Sequence, residues 1–210
     1  VLVYALINRP YILDLHPETS VVKKLLQKGF EVYMVDFGEP SRLDQSLGFD
    51  DYVNRYLHNT IEYVTDDSGV DDVNLLGYCQ GGTLSLMYTA LHQENVRALG
   101  TLSLAFNFDG ESGGMYEKWA EPLDIDMIGD TLGNFPADPM AVVFAMRNPI
   151  YTLLTRWIAL YDQFENEQVM EMSSRMEQWA WDGVDIAGEW FTQFVRDIVQ
   201  ENKLANNEMH

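Results

Sequence analysis

Cys79 is the only cysteine among the 210 residues, and glycines flank it two positions away on both sides, in Gly77-Tyr78-Cys79-Gln80-Gly81. A G-x-C-x-G turn between a strand and a helix is the setting of a nucleophile elbow, where a strained residue projects its side chain above the strand ends. Side chains at the two glycine positions would collide with the neighbouring strand and helix. With glycine near 7% of residues, chance places it at both offsets around one cysteine in about 0.5% of cases, so the pattern reads as an elbow before a buried structural thiol. The chemistry this allows is covalent acyl transfer, with the sulfur attacking a carbonyl and the positive end of the following helix favouring the thiolate. The backbone N–H of Gln80 is the expected first donor of an oxyanion hole, and Asn8, in the loop after the first strand, supplies the second.

An elbow nucleophile expects an acid and then a histidine later in the chain. Only His92 and His210 follow Cys79. His92 falls at the far end of the next helix, roughly 15–20 Å from the sulfur at 1.5 Å of rise per residue, and His210 is the last residue, with no strand before it to position it. His16 reads as a loop residue and His58 as an exposed helix residue. Both triad partners are therefore expected beyond His210, and residues 1–210 by themselves are expected to be inactive. Asp124, Asp126 and Asp130 read as a solvated acidic face and Asp36 as a loop or cap residue. One cysteine and four histidines leave no disulfide framework and no structural metal site to expect.

The elements around the elbow alternate. Residues 1–7 form an apolar run suited to a buried strand, residues 20–28 have helical spacing behind a Ser20 cap and before a Gly29 stop, and residues 30–36 return as a strand. A helix over 49–64, a strand over 73–76, the elbow, a helix over 83–92 and a strand over 98–104 follow. This is the pattern of a doubly wound, mostly parallel α/β sheet. After Gly110 strands vanish and Met, Trp and Phe recur at helical spacing, with Trp119, Trp157, Trp179, Trp181 and Trp190 expected to fill a helical core. The expected organisation is an α/β-hydrolase core over 1–109, a helical cap insertion over 110–204 and the start of further core at 205–210, truncated at both ends. A sheet so truncated would leave an unpaired edge, and poor solubility is expected of residues 1–210 expressed alone.

Thirteen Lys and Arg against 33 Asp and Glu give a net charge of −20. Such a surface repels nucleic acid and anionic membranes, and no apolar run is long enough for a membrane span. It is also one way for a protein to stay hydrated in concentrated salt, so a halophilic source is expected, with unfolding on transfer to low salt as its check.

Three blocks, residues 8–40 (NRPYILDLHPETSVVKKLLQKGFEVYMVDFGEP), 71–92 (DDVNLLGYCQGGTLSLMYTALH) and 130–140 (DTLGNFPADPM), resemble those of polyhydroxyalkanoate synthases, most closely the class III type of haloarchaea and some other prokaryotes. The resemblance implies an acyltransferase of the α/β-hydrolase fold that polymerises 3-hydroxyacyl-CoA into a polyester and releases coenzyme A, with Cys79 carrying monomer and growing chain as a thioester. It further implies a second synthase subunit, association with cytoplasmic polyester granules, and no cofactor, since coenzyme A belongs to the substrate. Two other readings of the same residues remain: a Cys-dependent thioesterase or ester hydrolase, and a non-catalytic granule-associated protein.

Overall fold

The computed structural model describes residues 1–109, 118–146 and 148–209. His210 and the expected start of the cap at 110–117 lie outside them. The chain divides into two compact units, one formed by Val1–Leu6, Tyr33–Phe135 and Asp185–His210, the other by Ile7–Val32 and Pro136–Val184.

The first unit is built on a parallel sheet in the order β1 (Leu2–Val3), β2 (Val73–Tyr78), β3 (Val96–Leu102). β1 meets β2 through Leu2↔Leu76 and Val3↔Gly77, and β2 meets β3 from Val73↔Val96 to Tyr78↔Leu102 with one irregularity after Val73. The strand expected over 30–36 is reduced to a single bridge, Met34 to Leu2, with Leu2 N–H donating to Tyr33 O at 2.7 Å and Val35 N–H to Leu2 O at 2.9 Å. Apolar alternation favours an extended chain, but a ladder needs a partner of equal length, and β1 offers one residue opposite this segment.

Behind the sheet, the helix expected over 49–64 begins as a π-helical stretch, Asp51–Leu57, and continues as α2, His58–Ser68. Gly69 ends it with φ 66°. Tyr52, Val53, Leu57, Ile61 and Val64 form its buried face. They join Leu2, Val3, Leu75, Leu84 and Tyr88 in a core that also holds Trp190, which meets the rings of Phe49 at 4.8 Å and Tyr52 at 5.2 Å.

In the second unit, α1 (Val21–Gln27) starts at Ser20, whose hydroxyl accepts from Lys23 N–H at 2.8 Å and donates to Asp14 at 2.5 Å. Ser20 is fully buried, so Ser20→Ala removes the cap and leaves both partners short. A loss of about 1–2 kcal/mol is expected in the urea midpoint; an unchanged midpoint would show that the cap is dispensable. Residues 7–11 are tied to 179–184: Asn8 bridges Gly183, Val184 N–H donates to Ile7 O at 3.0 Å, Trp179 Nε1–H donates to Arg9 O at 2.9 Å, and Asp182 accepts from Tyr11 at 3.0 Å. The helices that complete this unit are α5 (Ala137–Ala145), a π-helical turn at Tyr151–Thr155, α6 (Arg156–Tyr161) and α7 (Glu167–Trp181); Ile125–Leu132, in the first unit, is α4.

The tryptophans do not all fill a core. Trp190 is fully buried, whereas Trp157 and Trp181 are about half exposed, alongside Ile150, Leu153, Ile158 and Tyr161. In residues 150–164 the large apolar side chains fall on one side of the helix and Thr152, Thr155, Arg156, Asp162 and Gln163 on the other, and it is the apolar side that is exposed.

Candidate active site

β2 and the next helix, α3 (Gln80–Leu91), are joined by Cys79 alone. The expected boundaries at Leu76 and Thr83 were too far apart, because the turn is tighter than its glycine content suggests. Cys79 has φ 55° and ψ −126°, a region that costs a residue with a β-carbon about 1–3 kcal/mol and persists only where the surroundings impose it. Those surroundings are visible. Cys79 N–H donates to Leu102 O on β3, and Gly82 N–H to Cys79 O, both at 2.9 Å. A β-carbon on Gly77 would lie 2.5 Å from the Gly82 α-carbon, and one on Gly81 would overlap the Val3 carbonyl, 2.6 Å from its carbon. The end of β1 thus presses directly on the first turn of α3.

Burial pushes the Cys79 thiol up from its ordinary pKa, and the Gln80 backbone N–H beside the sulfur pulls it only partly back. Burial thus works against the thiolate preference expected of the helix end, which offers the sulfur one N–H. Because Cys79 is the sole cysteine, alkylation by iodoacetamide reports it without ambiguity. Its rate is expected to be well below that of a free cysteine at pH 7 and to climb about tenfold per pH unit with an inflection above the ordinary cysteine range; a plateau already at pH 7 would contradict this sign.

Two tyrosines that the sequence reading passed over sit beside the sulfur. Tyr4 follows β1 and Tyr78 ends β2, and their rings stack at 5.3 Å with 14° between planes. Tyr4 is buried, and burial raises its hydroxyl far above the usual tyrosine pKa, with the neighbouring Tyr78 and Cys79 adding to the shift. The register Val3↔Gly77 makes these two residues neighbours.

Gln80 is buried too, and its side-chain Oε1 has no hydrogen-bond partner among the described residues. Its polar neighbours on α3 are satisfied: Thr83 donates to Ala105 O at 2.6 Å and Ser85 to Gly81 O at 2.7 Å. An orphaned buried amide oxygen costs about 1–3 kcal/mol.

Asn8 lies in the second unit, in the bridge to Gly183. His92 caps the C-terminal end of α3, and His16 sits in a turn where its Nδ1 accepts from Glu18 N–H at 3.3 Å. His58 is not the exposed residue expected: its ring stacks on His92 at 4.7 Å and its Nδ1 meets the Tyr88 hydroxyl at 3.1 Å, because α2 packs its first turn near the end of α3. Asp124 caps α4 by accepting from Met127 N–H at 3.0 Å, and Asp36 accepts from Gly38 N–H at 2.9 Å. Among the described residues no three His, Cys, Asp or Glu side chains gather as metal ligands, and no helix is long and apolar enough to cross a membrane.

Residues 6–202 match the family model of the alpha/beta hydrolase fold. The chain is 50% identical over 99% of its length to the poly(3-hydroxyalkanoate) polymerase subunit PhaC of Haloferax mediterranei, covering 42% of that protein. It is 50% identical to the PhaC of Haloarcula marismortui, covering 44% of it, and 38% identical over 98% of its length to that of Allochromatium vinosum, covering 58%. The chain spans about half the length of these curated relatives.

Proposed function

From the premise that the chain belongs to the alpha/beta hydrolase fold family, we propose that it is the nucleophile-bearing part of a poly(3-hydroxyalkanoate) polymerase subunit. The carrying observation is a cysteine held at φ 55° on the strand-to-helix turn, in a chain 50% identical to haloarchaeal PhaC. In the first half-reaction a base takes the Cys79 proton and the sulfur attacks the thioester carbonyl of 3-hydroxyacyl-CoA. The carbon–sulfur bond to coenzyme A then breaks, and coenzyme A leaves as the thiol with that proton. In the second, the hydroxyl of another acyl unit attacks the acyl-Cys79 carbonyl, an ester bond forms, its proton passes to the base, and the Cys79 sulfur is released to regain one.

Exchange between two thioesters is nearly isoenergetic, so a cysteine suits acyl transfer in both directions, provided water is kept away. The partial burial of Cys79 and the stacked rings of Tyr4 and Tyr78 support that exclusion. A thiol whose surroundings disfavour the charged sulfur needs a base for activation. We place that base and its acid outside residues 1–210, in the length of the relatives that this chain does not span. The Gln80 N–H is the proposed oxyanion donor, with Gly77 and Gly81 shaping the elbow. A second synthase subunit and attachment to polyester granules belong to the same proposal.

The test is product identity. The protein at its natural length, supplied with 3-hydroxybutyryl-CoA in high salt with host extract, is expected to release coenzyme A and deposit insoluble polyester. Soluble hydroxy acid in place of polymer would make it a thioesterase, and no product at all would leave a scaffold.

A further inference from the structure

Gln80 is 8% exposed, directly follows the proposed nucleophile, and holds a side-chain carbonyl oxygen with no partner among the described residues. Native proteins pair nearly all buried acceptors, so one left open beside a reactive sulfur is an acceptor waiting for a donor. The carboxamide oxygen accepts and cannot donate, which selects a ligand with an O–H or N–H group. A 3-hydroxyacyl group bound to Cys79 carries such a donor two carbon–carbon bonds from the carbonyl attached to sulfur, on the residue next to Gln80 in the chain.

We propose that the Gln80 carboxamide oxygen accepts a hydrogen bond from the 3-hydroxyl of the acyl group on Cys79, making Gln80 the residue that distinguishes hydroxyacyl from plain acyl substrates. This rests on the polymerase reading above. Orienting that hydroxyl would also present its oxygen for chain growth.

The experiment compares 3-hydroxybutyryl-CoA with butyryl-CoA, which lacks the hydroxyl, in single-turnover acylation of Cys79 read by intact-protein mass spectrometry at natural chain length. Wild type is expected to favour the hydroxylated thioester about tenfold, and Gln80→Leu and Gln80→Met to bring that ratio to about one. Gln80→Glu, which keeps an acceptor, is expected to retain a preference. Since Gln80→Leu removes an orphaned acceptor, its thermal midpoint is expected to stay level or rise. Equal slowing of both substrates with a lowered midpoint would mean a packing role, and an unchanged ratio would mean that the oxygen serves an ordered water; either overturns the proposal while polymer formation by wild type leaves the function standing. No acylation of wild type by either thioester would remove the function and this inference together.

Discussion

Replacing Cys79 by alanine in the protein at its natural length is expected to lower coenzyme A release from 3-hydroxybutyryl-CoA by about 10⁴-fold or more and to abolish polymer. The size follows from the mechanism: without the sulfur there is no covalent intermediate, and whatever oxyanion donors remain have nothing to stabilise. The fold is expected to survive, since alanine keeps the β-carbon that the turn already tolerates at φ 55°. Cys79→Gly, equally inactive, should be more stable than Cys79→Ala by about 1 kcal/mol, because only glycine adopts that backbone without strain. Activity within tenfold of wild type in a folded Cys79→Ala protein would end the nucleophile assignment.

Gly81→Ala is expected to be the most damaging single methyl group that can be added near the elbow. The new carbon would overlap the Val3 carbonyl, and it would stand 2.7 Å from the Tyr4 carbonyl carbon. These are backbone atoms of a strand paired with β2, so they cannot rotate away as a side chain would. Overpacking costs about 1–3 kcal/mol where neighbours can adjust, and a loss at or above about 3 kcal/mol is expected here, read from urea denaturation. Gly82→Ala is the gentler comparison: its β-carbon would meet the Leu104 side-chain end at 3.0 Å and the Gly77 carbonyl oxygen at 3.3 Å, looser contacts than those at Gly81, so a smaller loss of about 1 kcal/mol is expected. Equal losses for the two variants would show that the contact of β1 with α3 is softer than drawn.

What could be read from the sequence was the local chemistry. Ser20 and Gly29 bracket α1 because capping is decided within a few residues, and Gly77-x-Cys79-x-Gly81 announces its turn because the collisions that demand glycine are partly between adjacent turns. What depends on distant partners was not readable. The run at 30–36 has strand composition, yet its pairing stops at Met34 since that is settled by how much of β1 lies opposite. Tyr4 becomes a neighbour of Tyr78 only through the register of β1 on β2, and nothing near position 4 hints at it. The desolvation that opposes a Cys79 thiolate was hidden for the same reason: a helix end is visible in sequence, whereas burial is the summed effect of the whole tertiary structure. The half-buried His58–His92 stack and the exposed Trp157 are likewise products of which helices meet.

The contact of Gly81 with Val3 also orders events in time. A strained elbow cannot hold its shape as an isolated hairpin of strand and helix, since the atoms that confine it belong to a strand made at the opposite end of the unit's first hundred residues. The closing of so long a loop is slow compared with forming α3 itself. The thiol therefore acquires its orientation late, after β1 has docked, and a newly made chain carries an unarmed cysteine until its sheet has closed around it.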